Sequence, residues 1–94
     1  MIVGSLRVRL LVRESRSLKD KRQVVRSIKD RLKGRFNVSV AEVEAHEHRQ
    51  LAVLGVAMVG HEAGPVRGAL QSIQEALRAH PVAEYLGGTV EVGS

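Results

Sequence analysis

The sequence has no cysteine and no tryptophan, one phenylalanine (Phe36), one tyrosine (Tyr85) and two prolines. Without cysteine there is no disulfide framework, no thiolate zinc site and no thiol nucleophile. With so few aromatics, the core must be built from Val, Leu, Ile and Ala. Each of these gives roughly 1.5–3 kcal/mol on full burial, enough for a marginally stable small domain. Long apolar runs are missing too. Nothing approaches the ~18 residues of a membrane span, and no basic-then-apolar leader opens the chain, so a soluble cytoplasmic protein is expected.

What is present is 44% hydrophobic and 27% charged, a globular composition. Its 94 residues suit a single domain spanning 1–94. The net charge of +5 is unevenly placed. Residues 1–35 hold twelve bases against three acids, a net of +9, whereas residues 36–94 hold three bases against seven acids, a net of −4. A basic first third on an acidic remainder suggests a polyanionic partner, nucleic acid before membrane. The plainer alternative is a solubilising charged surface.

Residues 2–12 alternate, with Ile2, Leu6, Val8, Leu10 and Val12 on one side and Ser5, Arg7 and Arg9 on the other. Period two predicts a strand with one solvated face. Ser17, three residues before Asp20, predicts a helix start, and the helix should run to about Lys33 with Gly34 as a left-handed stop. Phe36, Val38 and Val40 alternate as a second strand, whose phase switches near Glu42–Val43 and predicts a bulge there. The polar stretch Ala45–Gln50 reads as a hairpin connection. Leu51–Val59 is apolar on both phases and reads as a central strand. Val66, Ala69, Leu70, Ile73 and Leu77 repeat at helical spacing, from a start near Gly64–Pro65 to a close at Pro81. A last strand, weakened by Gly87–Gly88, is expected to end in Thr89–Val92. The order β-α-β-β-α-β predicts an α+β split βαβ fold. The four-stranded antiparallel sheet should have order 4-1-3-2, with two helices on one face.

Three blocks, Ser15–Arg22, Arg35–Glu42 and Ala52–Ala57, resemble the YlxP-like family of small bacterial domains of unknown function. The resemblance covers nearly the whole chain. It implies a ferredoxin-like fold and a bacterial cytoplasmic location. It also tilts the partner toward RNA, because members commonly lie among genes for translation and ribosome maturation. It supplies no catalytic residues. The chain departs from the family pattern at Ala45–Arg49, where other members tend to place a Trp.

The first helix carries the sharpest functional signal. At about 100° per residue with Leu18 at zero, Val24, Val25, Ile28 and Leu32 fall between roughly 240° and 340°. Lys19, Arg22, Arg26, Lys29 and Lys33 fall between roughly 20° and 100°, one basic stripe along about 20 Å of helix. Like charges at such spacing cost about 0.2–0.5 kcal/mol per pair, a burden that a polyanion would relieve. The candidate nucleic-acid contacts are therefore Arg16, Lys19, Arg22, Arg26, Lys29 and Lys33, extended by Arg7 and Arg9 on the open sheet face. For Arg7 and Arg9 the competing reading is a pairing with Glu42, Glu44 or Glu91 across the sheet. Neither the first nor the third strand offers an aromatic, so RNA contact should be electrostatic, with little sequence preference.

His46 and His48 beside Glu44 and Glu47 could chelate a metal, but a flexible hairpin without a third fixed ligand makes a polar loop the expectation. His80 is expected to cap the C-terminal end of the second helix. No phosphate-binding glycine loop, dinucleotide fingerprint or Ser–His–Asp constellation is present. Acylphosphatases share the element order but use a glycine-rich first loop, and Arg13–Leu18 contains no glycine. No enzyme, cofactor, metal or small-molecule substrate is expected. The alternative to an RNA or ribonucleoprotein contact is a protein–protein adaptor or homodimer, joined through the apolar third strand.

Overall fold

The computed structural model describes residues 1–94. The elements run β1 (Ile2–Leu11), α1 (Leu18–Arg35), β2 (Ser39–Glu44), β3 (Leu51–Gly60), α2 (Ala63–Arg78) and β4 (Glu84–Gly93). The four strands form one antiparallel sheet in the order β2-β3-β1-β4, which is the expected order read from the other edge.

Alternation in β1 sorts the sheet into two faces. Leu6, Val8 and Leu10 lie opposite Val56, Leu54 and Ala52 of β3, and all six are buried. Val25, Ile28 and Leu32 of α1 join Val66, Leu70, Ile73 and Leu77 of α2 in the same cluster of 16 buried residues. Both helices therefore cover this one face. No aromatic residue belongs to the cluster, and Phe36 and Tyr85 pack only at its rim. The seat of α2 is set by glycine: a Cβ at Gly4 would collide with Val66 Cγ1, and one at Gly60 would come within 2.6 Å of Val66 Cγ2.

Two boundaries differ from expectation. Helix α1 passes through Gly34 to Arg35, and Gly34 does not adopt a left-handed conformation. The stop comes instead from Phe36, which turns extended (φ −131°, ψ 149°) while its N–H still donates to Leu32 O at 2.8 Å. Burial of Phe36 and Val38 against the core draws the chain off the helix, so β2 begins only at Ser39. Strand β4 runs from Glu84 to Gly93, with the expected Thr89–Val92 at its C-terminal end. Its pairing with β1 is irregular beside Gly87, where the register shifts between Arg9 and Leu10, and Gly88 leaves room for Tyr85, whose hydroxyl donates to Gln74 Oε1 at 2.6 Å. The bulge expected near Glu42–Val43 is present, as the β2–β3 register shifts between Glu42 and Glu44.

Pro65 stands third in α2, where a missing N–H removes no intrahelical bond. Ser17 caps α1: its Oγ accepts from the Asp20 N–H at 3.1 Å, while Asp20 Oδ2 accepts from the Arg16 N–H at 3.0 Å. The start of the basic helix is thus fixed from both sides.

Candidate nucleic-acid interface

Helix α1 turns Val25, Ile28 and Leu32 to the core, which leaves Lys19, Arg22, Arg26 and Lys33 exposed and Lys29 half-buried. From Lys19 to Lys33 the row spans about 21 Å at the helical rise of 1.5 Å per residue. The ion pairs of the chain are Arg7–Glu44, Arg13–Glu84 and Lys21–Glu42. No base of the stripe takes part in one. The acids of residues 36–94 therefore leave the stripe uncompensated, and Arg16, exposed just ahead of the helix, is equally free.

The two sheet arginines occupy a different surface. Arg7 and Arg9 lie on the open face, so the sheet stands between them and α1, and they do not extend the stripe. Arg7 Nη2 sits 2.6 Å from Glu44 Oε1, which is the cross-sheet pairing weighed from the sequence. That hydrogen bond, aided by the guanidinium charge, holds the Glu44 carboxyl below its usual pKa. Arg9 is exposed without an ion-pair partner. Around Arg7 the open face forms a shallow concavity of about 760 Å³ floored by small residues, among them Ser5, Ala41, Gly55 and Ala57.

Lys21 is absent from the residues singled out by sequence, and it organises the hairpin beside the stripe. Its side chain is fully buried, with Nζ 2.8 Å from Ala45 O, 3.1 Å from Leu51 O and 3.4 Å from His46 O. The Glu42 carboxylate is 2.8 Å away, yet Oε2 receives no directed hydrogen bond. Three ammonium protons meet three carbonyls, so the fourth contact is chiefly Coulombic. The signal was available: on the wheel above, Lys21 falls at about 300°, in the middle of the apolar arc. Ala45 adopts φ 60°, a conformation unfavourable for a residue with a Cβ. It is held there by Lys21 and by the His48 N–H, both donating to its carbonyl.

The hairpin histidines serve the backbone. His46 Nε2 donates to Glu42 O at 2.8 Å, and His48 Nδ1 accepts from the N–H groups of Gln50 and Leu51 at 3.1 and 2.8 Å. No group of three or more His, Asp or Glu side chains is gathered to hold a metal ion.

His80 does not cap α2. Its Nδ1 accepts from the N–H groups of Val82 and Ala83 at 3.2 and 3.0 Å and so fixes the turn into β4. Burial, and secondarily the charge of Arg31, lowers its pKa below the ordinary 6.5. The unfolded chain therefore takes up the proton more readily than the native one. This contribution to stability is present above about pH 6.5 and is lost as pH falls through the native pKa. Replacing His80 with Ala should cost about 1–2 kcal/mol at pH 8, from two lost hydrogen bonds. It should also flatten the stability slope below pH 6.5. Urea denaturation between pH 5 and 8 measures both, and an unchanged slope would rule out His80 as its source.

A four-stranded ferredoxin-like sandwich, with a capped basic helix on its covered face, defines the class. Residues 3–89 match the model of the family described as a protein of unknown function (DUF503). The chain belongs to that family. No curated protein matches it. Neither helix is long and apolar enough to cross a membrane.

Proposed function

We propose that this domain is a non-catalytic binding module that holds RNA, alone or within a ribonucleoprotein, through phosphate contacts from α1. One observation carries the reading: five bases share one face of α1 and none has an acidic partner within the chain. Uncompensated rows of this kind bind polyanions with release of counterions. Helical rise puts successive bases of the row about 4.5–6 Å apart, on the scale of phosphate spacing in a single strand. The resemblance to the YlxP-like family, with its neighbourhood of translation genes and its bacterial cytoplasmic setting, favours RNA among polyanions. The open sheet face presents no aromatic side chain for base stacking, so contact should be electrostatic and tolerant of sequence. Titration of single-stranded and structured RNA at several salt concentrations tests the reading. Binding that weakens steeply with salt supports it, and no binding at low salt overturns it.

A second reading has its own observation. Val3, Val43 and Val59 are 43, 45 and 55% exposed around the small-residue floor of the open sheet face. Helices cover only the other face, so a second copy of the chain is the simplest cover. Sedimentation at roughly tens of micromolar, the range of weak dimers, should then show a dimer. A monomer at that concentration would remove this reading and leave the RNA reading untouched.

A further inference from the structure

Between the N-terminal end of α1 and the β2–β3 turn lies a hollow of about 530 Å³ with no apolar side chain in its lining. Ser15 and Arg16 form one wall, and Glu47, His48, Arg49 and Gln50 form the other. The frame is tied from both sides. Gln50 Nε2 donates to Arg13 O and Ser15 O at 2.9 and 3.4 Å, and the Val12 N–H donates to Gln50 O at 2.9 Å. Lys21 fixes the base of the turn from below through Ala45, His46 and Leu51. Ser15 Oγ is occupied as a donor to Ser17 O.

The donors left over share one character. Arg16 and Arg49 form no ion pair, and Glu47, the single acid of the lining, pairs with neither. Because His48 Nδ1 accepts two backbone N–H groups, the neutral ring carries its proton on Nε2 and offers one further donor. Two guanidinium groups and an imidazole N–H on the walls of one hollow, whose backbone is tied by hydrogen bonds, suit a tetrahedral oxyanion with several acceptor oxygens.

We propose that this hollow is a phosphate-binding site formed by Arg16, Arg49 and His48, and that it takes a phosphate of the RNA strand lying along α1. The inference rests on the RNA reading above and extends it past the helix. Arg16 precedes Lys19, the first base of the stripe, by three residues, so a strand following the row arrives at the hollow. Arg49 then belongs to the interface although it comes from the otherwise acidic part of the chain.

The test uses the full chain and four variants: Arg49→Gln, Arg16→Gln, the pair Arg22→Gln/Arg26→Gln, and Arg67→Gln as a control for net charge. Arg16 and Arg49 are exposed, and circular dichroism checks that each variant is folded. Losing one phosphate contact should weaken single-stranded RNA binding about 5-fold at 0.1 M salt and make the log–log salt slope shallower by about 0.7. Arg49→Gln and Arg16→Gln should each show this, and Arg67→Gln should not. Inorganic phosphate should shift the His48 ring and Arg49 Nε resonances, and RNA should displace it. If Arg49→Gln binds like Arg67→Gln while the α1 pair is weakened, the hollow is not part of the interface and the helix reading stands. Weakening by Arg49→Gln without weakening by the α1 pair would keep the hollow and overturn the helix reading. Phosphate-induced shifts with RNA binding indifferent to Arg49 would mark a site for the free anion and overturn the strand assignment. Absence of shifts with either probe would overturn the site itself.

Discussion

Replacing Lys21 with Met is expected to destabilise the domain by about 3–5 kcal/mol, the scale on which removing one partner of a buried ion pair acts. Against a typical total of about 5–15 kcal/mol this is a large share. Met preserves most of the side-chain volume, so the loss reports chemistry rather than a cavity. Removing the ammonium strands the Glu42 carboxylate, whose side chain is only 13% exposed, and takes a donor from each of the carbonyls of Ala45, His46 and Leu51. The left-handed turn at Ala45 also loses one of the two contacts that hold it.

The second half of a double-mutant cycle separates these causes. Adding Glu42→Leu to Lys21→Met removes the stranded charge and should recover part of the loss, while the carbonyls that lost a donor keep the double variant below the parent. Urea denaturation followed by far-ultraviolet circular dichroism gives all four corners of the cycle. A loss under 1 kcal/mol for Lys21→Met would mean that water replaces the ammonium at little cost and that the buried pair does not organise the hairpin.

The parts of the fold legible in sequence are those governed by period and by chain order. Alternation at Leu6, Val8 and Leu10 set the buried face of β1, and the phase switch at Glu42–Val43 located the bulge. Helical spacing placed both the core stripe of α1 and its basic stripe on the faces they occupy. What stayed hidden depended on partners distant in sequence. Gly34 carries a stop signal by residue type, but Phe36 and Val38 find burial against the core and end the helix by pulling the chain into extended form. Gly87–Gly88 lowers local strand propensity, yet the space above Gly88 is what admits Tyr85. His80 was placed by the helix dipole, whereas two N–H groups of the following turn compete for its ring.

The candidate site divides along the same line. The α1 row is a property of one helix and could be read from spacing alone. Arg7 and Arg9 share a net charge with that row but sit across the sheet from it, a separation that only the strand register reveals. Lys21 was visible as a cation within an apolar arc, but its acceptors lie 21 to 30 residues away. No local pattern announces Arg49 beside Arg16, because the hollow exists only once the β2–β3 turn packs against the loop before α1.

The stripe itself makes the second large prediction. If its five bases each neutralise one phosphate of a single strand, the parent should show a log–log salt slope near −3.5, from about −0.7 per contact. Phosphate contacts at Arg16 and Arg49 would steepen that value, so the informative quantity is the change on mutation. Arg22→Gln/Arg26→Gln removes two central charges while keeping side-chain length and helix propensity. The slope should become shallower by about 1.4, and affinity at 0.1 M salt should fall about 25-fold. Loss should be the same for unrelated sequences, since phosphate contacts carry no base information. Stability should be unchanged or slightly higher, because like charges at helical spacing are relieved at about 0.2–0.5 kcal/mol per pair. Arg67→Gln/Arg78→Gln on α2 removes the same net charge from another helix and should leave the slope near the parent value. Equal effects from the two pairs would reduce the stripe to one part of a diffuse positive field. An unaffected slope in the α1 pair, with RNA still bound by the parent, would place the interface elsewhere.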